Sequence, residues 1–242
     1  MNRVTSLARY SLWQFRDFAV DRGLSILIIG FLWGYALIEP IRRTVGSARG
    51  SASPLWVVAI QVSSAVVSVA VLVALNGIVS ADRKAGYYRF LFSKPVNPVL
   101  FYGQLFFVYM VGVIVAMLVL STLLHRLVPT FSIPNFLLYT ALVYIAMGGI
   151  GFFLSVTTRY DWLTLAAVWL GARVLRGIYG PGDDWRSKLV QLLPPVHKLD
   201  DVANALIGTG SAHMADVMWL FGYGALFFAL GLAALHWGSL AD

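Results

Sequence analysis

Cysteine is absent from the 242 residues. Disulfide frameworks, thiolate metal sites and cysteine nucleophiles are thereby excluded, and thiol usage says nothing of the redox compartment. Charge is scarce as well: 18 Lys and Arg with 11 Asp and Glu make 12% of the chain, about half the fraction usual in a soluble domain. The four histidines, His125, His197, His213 and His236, form neither an i, i+4 pair nor a His-Glu-x-x-His run, which leaves a zinc hydrolase site almost without basis. None of Lys84, Lys94, Lys188 or Lys198 follows a glycine, as the phosphate-contacting lysine of a P-loop must, so the chain has no ATPase motif of that kind.

What the chain has in abundance is apolar surface. Hydrophobic residues make up 59% of it, and its mean hydropathy is +0.77. Six membrane spans of about 20 residues need about 120 apolar positions, which leaves too little for a large catalytic domain outside the bilayer. The fold class expected is all-α, a polytopic membrane protein with six transmembrane helices and residues 1–242 as one transmembrane domain. The net charge is +7, and 14 of the 18 cations are Arg scattered between apolar runs. That distribution suits lipid headgroups and acidic protein partners, and no nucleic-acid binding is expected.

Residues 1–23 lack the uncharged core and small-residue cleavage site of a signal peptide, and the chain is read as having no leader removed. At 100° per residue Val4, Leu7, Ala8, Leu12, Phe15, Phe18 and Ala19 share one face, with Arg9 and Arg16 opposite. An amphipathic interfacial helix lying along the membrane is predicted, with Tyr10 and Trp13 off the stripe at headgroup depth. The first apolar run, 24–38, is short and extends toward Glu39 and Pro40, with Arg42 and Arg43 next. Later spans are predicted at 55–79, at 99–124 with Asn97 and Pro98 as N-cap and N1 proline, at 135–157 and at 217–235. Gly148, Gly149 and Gly151 in the fourth span favour close helix packing over a kink. The fifth run, 162–172, either continues through Arg173 and Arg176 to Tyr179 or stops part way. Six spans put both termini on one side. Each side then has nine Lys and Arg, so a count does not orient the chain; the compact basic clusters in 1–23 and 80–98 place the termini in the cytoplasm.

The loop from Ser80 to Leu105 is too long and too amphiphilic for a plain turn. Ser80 or Asp82 is suited to cap a short helix, Tyr87, Tyr88, Phe90, Leu91 and Phe92 offer an apolar surface, and Pro95 ends it before the third span. A short helix held between two spans is a lever, able to deliver the movement of a soluble machine to both.

This segment resembles the signature loop of the ABC-2 type transporter permeases, in which acidic residues precede a Gly-Thr pair, an apolar residue, Glu, two Leu and a Pro. Asp82 matches an acidic position, Gly86 the glycine, Leu91 and Phe92 the apolar pair, and Pro95 with Val96 the end. Lys84, Tyr87 and Arg89 depart from the acid, threonine and glutamate common at their positions. A second match lies at 191–208, where Pro194 or Pro195 precedes a helix with Asp200 or Asp201, Ala203, Ala205 and a closing Gly208. The resemblance implies the transmembrane subunit of an exporter, in the cell membrane, that dimerises with a second permease copy or paralogue. It also implies separate ABC-type ATP-binding subunits, which supply ATP and Mg, while this chain has no cofactor and no catalytic residue of its own. Asp82, Arg83, Lys84, Gly86, Tyr87, Arg89, Leu91 and Pro95 are then the residues of an 80–95 coupling helix, and 180–216 is an external helical segment. Lipids, glycans, drug-like molecules and ions are the substrates left open.

Arg173 and Arg176, at i, i+3 spacing near the end of the fifth span, are candidates for an anionic group on the substrate path, against the plainer reading that they snorkel to the interface. Asp183, Asp184, His197, Asp200, Asp201, His213 and Asp216 form a loose cluster, in which Asp183 or Asp184 is read as the cap of the helix containing Trp185, Leu189 and Leu192, and Asp200 or Asp201 as the cap of the one leading to Leu206. The same acids support a rival, a membrane-embedded metal-dependent lipid-modifying enzyme. A secondary transporter is the other rival, without an evident internal repeat.

Overall fold

The structure, a computed structural model, describes residues 3–34, 53–84, 97–127, 131–158, 161–179, 185, 193–209 and 211–237. Among these residues there are helices and turns and no strand. Helix α1 (Arg3–Phe18) passes through a π-helical turn (Ala19–Gly23) into α2, residues 24–34. Then come α3 (Ser53–Leu75), the short α4 (Ser80–Lys84), α5 (Pro98–Leu127), α6 (Ile133–Thr157), α7 (Asp161–Tyr179), α8 (Val196–Ala203) with a π-helical extension (Asn204–Thr209), and α9 (Met214–Trp237).

Four helical stretches are long and apolar enough to cross a membrane: Ile60–Asp82, Pro98–Arg126, Ile133–Thr157 and Met214–Trp237. Hydrophobic periodicity does not place them against one another, because apolar side chains predominate around all four; small residues and close packing do so instead. Helix α6 is the centre, with 67% of its most apolar window buried against 17% for α9. It packs on α3, α5, α7, α9 and the α8 segment. Its Gly149 meets the Gly224 backbone of α9, and Gly224 in turn meets the carbonyl of Ile145. A side chain at either position would occupy space already filled by main chain, so the glycines fit the close approach, and α6 continues unbroken as a helix through them. Farther along, Gly231 of α9 faces Phe152, so α6 and α9 run parallel.

Antiparallel to that pair, α5 contributes Phe106, stacked on Phe228 with ring centroids 4.3 Å apart and lying 5.0 Å from Tyr144 and 5.7 Å from Phe152. The buried Tyr144 hydroxyl donates to the Phe106 carbonyl at 2.9 Å. Buried hydroxyls in hydrocarbon need such partners.

Asn97 caps α5 as its position suggests, its Oδ1 accepting from Val99 N–H at 2.9 Å, with Pro98 opening the helix. The run after Trp162 continues as helix through Arg173 and Arg176 to Tyr179. Helix α3 ends four residues before the predicted 79, at a turn of residues 76–79. In α1 the line that faces protein is Tyr10, Gln14 and Phe18: Tyr10 packs 5.8 Å from Phe101, and Gln14 and Phe18 are buried. Leu12, assigned to the apolar stripe, is 71% exposed, so the protein-facing line is rotated from the stripe.

Candidate functional site

Two constructions stand at opposite ends of the spans. The first is the root of the 80–95 segment. Asn76-Gly77 turns the chain, with Gly77 at φ +74°, a left-handed conformation that glycine adopts without the strain a side chain brings. Val79 and Ser80, at the start of α4, are buried. The amides of both donate to the hydroxyl oxygen of Ser155 on α6, at 3.1 and 3.3 Å. Ser155, 75 positions from Ser80, thus accepts from the backbone where α4 begins. Asp82 has another role: it accepts from the Tyr102 hydroxyl of α5 at 3.1 Å. Below it Arg22 donates to the carbonyl of Ala74, in the last turn of α3, and sits 4.8 Å over the Tyr109 ring. Residues of α3, α4, α5, α6 and the α1–α2 junction therefore converge on one turn. Arg83 and Lys84 complete α4; Gly86, Tyr87, Arg89, Leu91 and Pro95 lie outside the described residues.

The second construction is a polar cavity of about 580 Å³. One wall is a face of α3, with Gln61, Ser64 and Ser68 at i, i+3 and i+7. Ser64 donates to the Gln61 carbonyl at 3.0 Å and Ser68 to the Ser64 carbonyl at 2.9 Å, so their hydroxyl protons are spent within the helix and their oxygens remain as acceptors. Trp33 of α2, Trp169 of α7 and the buried Tyr139 of α6 add aromatic surface. Asn204 and Asp200 close the cavity from the α8 segment. Arg173 lines it as well and is ion-paired with Asp200 at 2.8 Å, the two side chains being 60% and 45% exposed. By contrast, a smaller cavity of about 240 Å³ between α2, α3, α5 and α6 is walled by apolar side chains such as Val66, Leu120 and Phe136.

The arginine pair is thus divided. Arg173 reaches the cavity, while Arg176 is not among its lining residues and acts on His197, whose imidazole is held below its ordinary pKa first by burial and then by that guanidinium. His197 Nδ1 is buried without a hydrogen-bond partner. Asp200 and Asp201 lie inside α8, with Pro195 at its N-cap position, which corrects their reading as caps. Lys198 and Asp216 pair at 2.5 Å, with Lys198 5.8 Å over the Trp219 ring, and tie α8 to the start of α9. Asp183 and Asp184 lie outside the described residues. Among the described residues no three His, Cys, Asp or Glu side chains converge to hold a metal.

Sequence reasoning missed Ser155, Tyr102, Arg22 and the Gln61, Ser64, Ser68 face. Two local signals were available: the Asn-Gly dipeptide at 76–77 marks a turn, and Gln61, Ser64 and Ser68 fall on one side of a helix at its own period. Ser155 and Tyr102 have no local signal, since their partners are distant in sequence. No protein-family model matches the chain, and no curated protein or solved structure matches it.

Proposed function

We propose that this chain is the transmembrane subunit of an ATP-driven exporter of the ABC-2 permease kind, with six spans and both termini in the cytoplasm. A separate ABC-type ATP-binding subunit, carrying ATP and Mg, docks on the 80–95 segment, and a second permease copy or paralogue completes the assembly. The observation that supports this reading most is the root of that segment. A lever transmits movement only if its base is rigid, and here the turn at Gly77 is fastened by Ser155 to the central helix and by Asp82 to Tyr102 of α5. A displacement of α4 is therefore delivered to α3, α5 and α6 together. The polar cavity bounded by α3 and α7 lies toward the other end of the same helices and is lined by Arg173, which this reading assigns to the substrate path.

The chain has no P-loop lysine, so the ATPase of this mechanism is another polypeptide. The test is affinity purification of the tagged chain from its native membrane in mild detergent, with mass spectrometry and an ATPase assay of the eluate. A P-loop protein at near-equal stoichiometry is expected, and it is expected to be lost on Leu91→Glu. Absence of any nucleotide-binding partner from an intact preparation would overturn the proposal.

A further inference from the structure

We propose that the cavity between α3, α7 and the α8 segment binds an uncharged, hydroxyl-rich group, a sugar or polyol, as the exporter's cargo. The inference rests on the transport reading and names the substrate class for it. A polar cavity inside an apolar helical protein is costly to build, because unsatisfied polar groups in hydrocarbon are penalised. A ligand of matching polarity hydrogen-bonds to such walls in place of water. Its chemistry follows from three properties of the walls.

The first is charge. Among the described lining residues Arg173 and Asp200 are the charged side chains, and they pair with one another. An anion would meet the Asp200 carboxylate beside the guanidinium, and a cation the Arg173 guanidinium beside the carboxylate. The second is hydrogen bonding. Ser64 and Ser68 present oxygens whose protons are already committed, while the amides of Gln61 and Asn204 both donate and accept. Such a mixture pairs with hydroxyl groups, which also donate and accept, and is wasted on an acyl chain. The third is shape. Trp33 and Trp169 offer flat apolar faces suited to the C–H face of a sugar ring, and about 580 Å³ falls within the 300–1,000 Å³ usual for small-molecule sites.

A sugar reaches such a site either as a lipid headgroup from the bilayer or as a free molecule from water. The full chain is placed in phosphatidylcholine nanodiscs, and two probes are used: glucosyl diacylglycerol, followed by native mass spectrometry against phosphatidylglycerol, and labelled maltose, followed by equilibrium dialysis. Preferential retention of the glucosyl lipid identifies the headgroup source, and saturable maltose binding the free source. Either is expected to weaken about tenfold on Gln61→Ala or Trp169→Leu, roughly the loss of one or two net hydrogen bonds or of one aromatic face. Ser68→Ala, a smaller change, serves if melting shows those variants to be unfolded. The proposal is overturned by preferential retention of phosphatidylglycerol, by binding of neither probe, or by binding that the folded cavity variants leave unchanged. Binding by the isolated chain needs no ATPase. A chain that recruits an ATPase but binds no glycosyl probe loses only the substrate class; one that binds the probe but recruits no ATPase keeps the site and loses the ATP-driven mechanism.

Discussion

Ser155 accepts amide protons from both Val79 and Ser80. Removing its hydroxyl takes that acceptor away from two buried donors, at about 1–3 kcal/mol. Ser155→Ala is expected to lower the melting temperature in detergent and to speed hydrogen exchange at Val79 and Ser80, leaving exchange at Thr140 unchanged. Unaltered exchange at the two amides would show that another acceptor replaces the hydroxyl. His197 supplies a pH dependence. Burial and Arg176, with Lys198 acting the same way, outweigh Asp201 and Asp216 and depress its pKa. The folded state therefore holds the imidazole neutral, and the unfolded state takes up the proton first. Stability from this residue is complete above pH about 6.5 and is lost as pH falls below it toward the folded value. Between pH 7.5 and 5.5 the wild-type melting temperature should fall more steeply than that of His197→Gln; parallel curves would remove the assignment.

Helices α6 and α9 touch main chain to main chain, so their association depends on shape more than on hydrophobicity, lipid being as apolar as either helix. Gly149→Ala or Gly224→Ala is expected to force the pair apart at a cost of about 1–3 kcal/mol, read as a lower melting temperature. Gly222→Ala, at a position open on the other side of α9, should be neutral or stabilise by up to about 1 kcal/mol and separates overpacking from helix propensity. The helices themselves were legible: unbroken apolar runs announced α3, α5, α6 and α9, and Asn97-Pro98 marked the start of α5 within a residue. The break at Gly77 was hidden because the run from Leu55 to Val79 carries no charge and is apolar from Val69 to Leu75, and only the turn chemistry of Asn76-Gly77 betrays it. The π-helical turns at 19–23 and 204–209 have no counterpart in a 3.6-residue period. The site was half legible: Arg173 stood out as a charge in an apolar segment, whereas its pairing with Asp200, 27 residues on, depends on how α7 and α8 fold together.

For the molecule as a whole, the proposed orientation puts the α4 root in the cytoplasm and the α8 segment outside. A chain without cysteine is a clean background for single-cysteine labelling. Thr157→Cys should react with an impermeant maleimide only after permeabilisation, and His213→Cys in intact cells; the reverse pattern would invert the topology. The main-chain contact between α6 and α9 also has a bearing on how the protein is made. Roughly 80 residues separate the end of one helix from the end of the other, about 4–16 s of synthesis at 5–20 residues per second. Throughout that interval the nascent chain carries the Gly149 groove with no α9 to occupy it. Whatever shields that groove during insertion, lipid or an insertion factor, must leave when α9 arrives, so a helix translated well after α6 completes the contact on which the central helix depends.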